Sequence, residues 1–468
     1  MRGSRKTVAA LVWSATAVWI VVLLASLRYG LLDRFFFDSS HAHVQGIDFF
    51  PVVRAFLSVL HGHSAYDTFS VNYGPYATWF LYHPLLALAL GPWLFWMHPW
   101  TAYAIWTAIS FILMAISAGL VMRLSSDPLR RALVALVMLG AFPVYSMLYV
   151  GNVQALTVLA VTLLLVALAR MAGLTGAEPD YEAIMRRSRG MLMAGLLLSL
   201  FSKPVVLLML PLLWMMPETR RTAWKAFAIY ALVSLAFVAV PLLNPDSMDW
   251  SERISLATHP AMVQQTMNVY TNGFTVTPPM KDNAVHWFAM QALADYRLMH
   301  IDVYSLPVFL DSWLHMHTPE ALYRLPAILI LEFSVMVAFL RDRRPRIEAA
   351  LYLTMAGSMA YLVMYSLVWE YHYTALLPVL GLLLVGKNWN AVEKTMLALG
   401  ALVCGPSLYF LVSRQNPALL SVQNVIRLDR VVPATAIFCI LVGMVAAAGW
   451  RQWGALILGR GIEHTSSE

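Results

Sequence analysis

An all-α, polytopic membrane protein is the fold class this sequence predicts, on three observations. Hydrophobic residues make up 60% of the 468-residue chain and charged residues only 12%, about half the share usual in soluble domains. The mean hydropathy is +0.66. The basic residues fall between apolar runs and form no stripe. No soluble core could hide that much apolar surface, so lipid must solvate most of it. The placement of Lys and Arg also argues against nucleic acid as the partner, despite a pI of 9.3.

A spanning helix needs about 20 mostly apolar residues. Candidate spans run near 8–28, 76–96, 101–122, 132–149, 153–169, 190–216, 224–243, 323–340, 348–367, 372–386, 393–413 and 431–449. Some are interrupted, so the expected bundle holds about 10–13 helices. The first run follows Arg2, Arg5 and Lys6 with no small-residue cleavage site after it, and is expected to be a retained helix. Cys404 and Cys439 both lie in apolar runs, which leaves no disulfide framework or metal signature.

Seven basic clusters hold 21 of the 32 Lys and Arg residues: Arg2/Arg5/Lys6, Arg123/Arg130/Arg131, Arg170/Arg186/Arg187/Arg189, Arg220/Arg221/Lys225, Arg341/Arg343/Arg344/Arg346, Lys387/Lys394 and Arg451/Arg460. Placed on the cytoplasmic side, they leave loops 29–75 and 244–321 outside. The second loop carries eight Asp and Glu against three Lys and Arg, in keeping with that side. One membrane domain over 1–450 and a cytoplasmic tail over 451–468 follow. Parity then requires 76–96 and 190–216 to be re-entrant or paired short helices, or else Arg123, Arg130 and Arg131 to lie outside. Breaks of that kind need a protein-enclosed or wet surrounding.

Four places could carry chemistry. In the first outer loop, Asp48 precedes apolar residues at helical spacing, Val52, Val53, Phe56, Leu57 and Leu60, which predict a helix lying in the interface. Asp48 there could accept a proton from a hydroxyl nucleophile or simply cap the helix. Tyr73 follows in Asn72-Tyr73-Gly74-Pro75. Asn152 and Gln154, between two spans, could bind sugar hydroxyls or satisfy orphan backbone groups at helix ends. Lys203, in a break at Ser202-Lys203-Pro204 within an apolar run, costs about 3 kcal/mol at a bilayer centre and must face a partner. A phosphate or the carboxylate of Glu332 would serve. Trp369, Glu370 and His372 stand at the outer end of a span. Belt residues account for the aromatics. Glu370 and His372 are left over, and with flanking aromatics they suit a sugar. The five histidines of loop 244–321 match no metal motif, and Walker and dinucleotide fingerprints are missing.

Taken together, residues 40–380 resemble glycosyltransferase family 87, polyprenol-phosphate-dependent mannosyltransferase-like enzymes of the GT-C superfamily. Asp48, Phe49, Ala55, Gly62, Tyr66 and Asp67 resemble its first-loop pattern D-F-x-x-[YF]-x-x-A-x-x-x-L-x-x-G-x-x-x-Y-[DS]. Tyr82-His83-Pro84-Leu85 is similar to its Y-P-P-L start, with His83 in place of Pro. Gly151 to Gln154 is similar to its G-Q-x-N junction with the amides exchanged. Lys203-Pro204 matches its K-P pair, and Trp369-Glu370-Tyr371-His372 resembles its W-[DE]-H-H motif with Tyr371 replacing one His.

The resemblance implies a GT-C-like bundle in the cytoplasmic membrane of a bacterium, with its active site on the extracytoplasmic face. It implies inverting hexosyl transfer, of mannose in the family, from a polyprenyl-phosphate sugar to a lipid or glycan acceptor. Asp48 would be the general base. Lys203 and His372 would hold the donor phosphate. Glu370, Asn152, Gln154, Tyr73 and Trp369 would bind sugar or acceptor. Membrane lipids and the lipid-linked donor would be the partners, with no tightly bound cofactor and no metal. A transporter or flippase of a lipid-linked saccharide would share Lys203, Glu332 and the broken helices but would not need Asp48. A polymerase- or ligase-like enzyme would want more basic residues in loop 244–321 than Arg253, Lys281 and Arg297.

Overall fold

The computed structural model describes residues 2–32, 45–61, 65, 68, 71–76, 80, 82–173, 181–242, 306, 320–364, 368, 370–386, 389–406 and 424–457. Every regular element among them is helical. In chain order these are α1 (Arg2–Tyr29), α2 (Phe50–Leu60), α3 (Pro84–Leu94), α4 (Pro99–Met122), α5 (Pro128–Gly140), α6 (Phe142–Val150), α7 (Gln154–Met171), α8 (Tyr181–Phe201), a 3₁₀ turn (Val205–Met209), α9 (Leu210–Met215) and α10 (Arg220–Leu242). After these come α11 (Glu320–Ala338), α12 (Arg343–Met364), a second 3₁₀ segment (Glu370–Ala375), α13 (Leu376–Val385), α14 (Ala391–Cys404) and α15 (Asn424–Ile457).

Six helical stretches among the described residues are long and apolar enough to cross a membrane: Arg5–Tyr29, Pro99–Met122, Pro128–Val150, Gln154–Met171, Arg343–Met364 and Asp429–Trp450. The chain is a multi-pass membrane protein. Hydropathy leads to an expectation of about 10–13 spans over the whole chain; among the described residues these six stand beside shorter apolar helices. The last helix runs to Ile457, past the domain end expected at residue 450.

The first difficult segment is a short helix, and the second is a break between the long helix α8 and short helical pieces. α3 has 11 residues, about 16 Å of helix and half a bilayer core. It packs on α2, and a Cβ at Gly91 would strike the Phe56 ring, so the two backbones approach closely there. α2 is buried over most of its first half, at Phe50, Pro51, Val52, Val53, Arg54 and Ala55. Protein therefore covers a helix that its apolar spacing placed on the membrane surface. The run 190–216 breaks at Ser202-Lys203-Pro204, where α8 ends and the chain doubles back through the 3₁₀ turn and α9. The result is a hairpin with Lys203 at its tip.

The charged contacts gather the basic residues at one end of the bundle. Asp127, which caps α5 by accepting the Leu129 amide at 3.0 Å, faces Arg5 of α1 and Arg130, each at 3.5 Å. Arg130 donates to the Val385 carbonyl at the end of α13 (3.2 Å). Buried Glu218, in the turn between α9 and α10, takes Arg346 and Arg343 from the start of α12. The hairpin's feet thus stand at the basic end, and its tip lies deep in the bundle.

Candidate active site

The turn that carries Asp48 is held by the end of α6. Gly46 and Asp48 donate their amides to the Tyr149 and Val150 carbonyls at 2.8 and 2.9 Å. Tyr103 donates its hydroxyl to the Leu148 and Tyr149 carbonyls, both at 2.9 Å, and the Trp106 indole reaches the Gly151 carbonyl at 2.9 Å. These donors satisfy carbonyls that a helix end leaves without partners. Gly151 closes α6 in the left-handed region at φ 71°. A Cβ there would come within 2.7 Å of the Phe49 Cβ, so only glycine fits between the two segments. The fit sets Asp48 directly across from Asn152.

Asn152 satisfies an orphan backbone group at a helix end, one of the two functions its sequence position left open, and it also holds Asp48. Its Oδ1 accepts the Gln154 amide at 2.9 Å, at the start of α7. Its Nδ2 donates to Asp48 Oδ2 at 2.8 Å and to the Tyr82 hydroxyl at 3.0 Å. Gln154 donates Nε2 to the Tyr361 hydroxyl at 2.8 Å, and Tyr361 in turn donates to the His372 carbonyl at 2.8 Å. The Gln154 Oε1, buried, has no hydrogen-bond partner among the described residues.

Lys203 completes the cluster. Its Nζ lies 3.0 Å from His372 Nε2. With Lys203 as the ammonium, which can only donate, Nε2 accepts and the ring proton sits on Nδ1. The Tyr82 and Tyr371 rings flank the ammonium at 5.9 and 5.2 Å, within the range where an aromatic face attracts a cation. Lys203 also lies within electrostatic reach of Asp48 without a direct ion pair to it. Asp48 itself is partly exposed. Loss of hydration pushes its carboxyl pKa up. The Asn152 amide, the Lys203 charge and a hydrogen bond with Tyr371 all pull the other way.

No family model, curated protein or solved structure matches this chain. The chemistry must therefore be read from the cluster itself.

Asp48, Asn152, Gln154, Lys203 and His372, separated by up to 324 residues in sequence, converge on one spot. Asp48 makes no cap. The N-cap of α2 is Phe49, which has no side-chain cap bond, and the Asp48 carboxylate faces Asn152 instead. The partner of Lys203 is His372 and not Glu332, which is exposed on α11.

Two expected site residues face elsewhere. Glu370 turns away from Lys203 and binds buried Arg430 of α15 through Nε at 2.8 and 3.0 Å. Arg430 also donates to the Leu402 and Gly405 carbonyls at 3.1 and 2.8 Å, which ties the segment to the end of α14. Tyr73 donates its hydroxyl to the Leu94 and Met97 carbonyls at 2.9 and 3.3 Å and packs on Phe50. Its carbonyl, with those of Val71, Thr68 and Gly74, is taken by Arg54. It is a strut of the first loop. Trp369 lies outside the described residues.

Tyr82, Tyr361 and Tyr371 belong to the cluster, yet sequence reasoning does not pick them out as site residues. All three are aromatic residues of a membrane protein, where belt placement is the ordinary reading. Tyr82 and Tyr371 do neighbour Pro84 and His372 in the quoted motifs, which is a signal for them. Tyr361 sits inside an apolar helix and offers none.

Proposed function

We propose that this chain is a membrane glycosyltransferase that moves a hexosyl group from a polyprenyl-phosphate donor to a hydroxyl acceptor. The observation that carries the reading is the pairing of two partly exposed groups, the Asp48 carboxylate and the Lys203 ammonium. The two are electrostatically coupled but not in contact. An isolated pair would gain most by closing into an ion pair. A gap between opposite charges suits a ligand that brings a nucleophile to one and an anion to the other.

In the proposed reaction the acceptor oxygen attacks the anomeric carbon as its proton passes to Asp48. The bond from that carbon to the phosphate oxygen breaks, and the polyprenyl phosphate leaves with the bonding pair. Lys203, supported by His372, faces the growing phosphate charge. Asn152 keeps Asp48 aimed, and its amide favours the ionised carboxylate needed at the start. The unpartnered Oε1 of Gln154 is an acceptor for a sugar hydroxyl. Mannose as the sugar rests on the resemblance to glycosyltransferase family 87. The extracytoplasmic side rests on the basic clusters of the sequence, of which Arg5, Arg130, Arg343 and Arg346 stand at the basic end of the bundle described above. A lipid donor enters from the bilayer, which fits a site among spanning helices.

The test is direct. Purified protein, given radiolabelled polyprenyl-phosphate hexoses and a panel of lipid and glycan hydroxyl acceptors, should release polyprenyl phosphate in step with labelled product. Movement of intact donor across a vesicle membrane with no release of polyprenyl phosphate would replace transfer by transport.

A further inference from the structure

The basic end holds a second feature that the proposed reaction does not use. A cleft of about 620 Å³ opens between the two feet of the hairpin, lined by Arg189 of α8 and by Glu218, Arg220, Arg221 and Lys225 around the start of α10. Its size lies within the range of small-molecule sites, about 300–1,000 Å³. The four cations are exposed, and among the described residues none makes an ion pair or a side-chain hydrogen bond. Glu218 supplies one negative charge against these four, and its Oε1 is shared with Arg346 and Arg343 from α12 behind it, while its buried Oε2 has no hydrogen-bond partner among the described residues. Four like charges around one hollow repel one another and call for an anion.

The surroundings say which kind of anion. From Lys225, one face of α10 continues away from the basic end through Ile229, Leu232 and Leu235, the last two 68% and 59% exposed. Beside it Trp224, half exposed, stacks on Trp214 with ring centroids 4.6 Å apart. Tryptophan is enriched at the boundary between headgroups and acyl chains. A free phosphate would use the cations and ignore the stripe.

We propose that the cleft binds the phosphate headgroup of an anionic phospholipid whose acyl chains lie along the exposed stripe of α10. Basic hollows between spanning helices are a recurring way to hold such headgroups. Because the headgroup touches both feet of the hairpin, it braces the segment whose tip is Lys203.

The test uses full-length protein in detergent, with phosphatidylglycerol, phosphatidylcholine and inorganic phosphate as separate probes. Binding is read by native mass spectrometry and by thermal shift. Wild type should retain one phosphatidylglycerol in preference to phosphatidylcholine and gain thermal stability from it. The double variant Arg189→Gln/Lys225→Gln should lose about 30-fold in affinity, at about fivefold for each cation. Arg186→Gln/Arg187→Gln removes the same charge from the same end outside the cleft and should bind as wild type does. If the double variant fails to fold, Arg189→Gln alone should lose about fivefold. Equal losses in the cleft and control variants would reduce the effect to general surface charge and overturn the site. Protection by inorganic phosphate as strong as that by phosphatidylglycerol, or no preference over phosphatidylcholine, would overturn the lipid.

Discussion

Replacing Asp48 by Asn tests the proposed reaction at its centre. The side chain keeps its shape, and its Oδ1 can still accept the Asn152 amide that now reaches the carboxylate at 2.8 Å. Losing the charge weakens that bond by about 1 kcal/mol. In the other direction, a carboxyl whose pKa is raised by lost hydration has its charge removed. The two effects oppose, so folding should change by less than about 1 kcal/mol, a shift of no more than about 3 °C. Activity should respond very differently. A positioned base contributes about 10²–10⁴-fold, equivalent to about 3–5 kcal/mol of barrier.

The pH dependence adds an independent check. A raised pKa means that the folded protein holds the Asp48 proton at pH values where the unfolded chain has released it. Stability from this group is therefore greatest below the ordinary value of 3.8 and falls as pH rises through the folded pKa. Activity should rise over that same interval, above 3.8, as the base ionises. Both trends should vanish in the Asn variant. The assay is transfer of labelled hexose from polyprenyl phosphate, with thermal unfolding in parallel. A folded Asp48→Asn protein within a few-fold of wild-type activity would refute the catalytic role.

Lys203→Met should stay folded, because no carboxylate is ion-paired to the ammonium, and should bind polyprenyl phosphate at least tenfold more weakly in a direct binding measurement. Arg430→Met strands the buried Glu370 carboxylate and should destabilise by about 3–5 kcal/mol in thermal or denaturant unfolding, while Arg430→Met/Glu370→Met together should recover most of that. Gly151→Ala should cost about 2 kcal/mol from its left-handed backbone alone and should lower activity as well, since the clash falls on Phe49 next to Asp48. Cysteines introduced at Ser70 and Ser305 should react with a membrane-impermeant thiol reagent in intact cells. Labelling only after lysis would reverse the proposed orientation.

What the sequence revealed of the cluster follows from the cost of polar groups in lipid. Lys203, Asn152 and Gln154 interrupt apolar runs, and the expense of placing them there is enough to mark them. Asp48 and His372 stand out for the same reason at the ends of such runs. Tyrosines escape that logic, because a phenol is at home at an interface whether or not it binds anything. The orientation of Glu370 could not be read either. Its partner lies 60 residues away in α15, and only packing brings the two together. The parity conflict over 76–96 and 190–216 was visible in the charges, and its outcome depended on backbone geometry. α3 is simply too short, and Pro204 leaves no amide to carry α8 further.

Glu370 and His372 stand two residues apart on a 3₁₀ segment, where each residue turns the chain by about 120°. They therefore point to different sides, one toward Arg430 and the other toward Lys203. Arg430 acts as a fixed pivot for the segment. If the segment rolled to withdraw His372, it would have to pull the buried Glu370 carboxylate from Arg430, its one charged donor among the described residues. The helix farthest along the chain from Asp48 is thus mechanically part of the reacting centre. A protein truncated before residue 424 would still contain every side chain of the Asp48–Lys203 cluster, yet the segment that carries His372 would lose its Glu370–Arg430 anchor and keep only the Tyr361 and Lys203 bonds to His372.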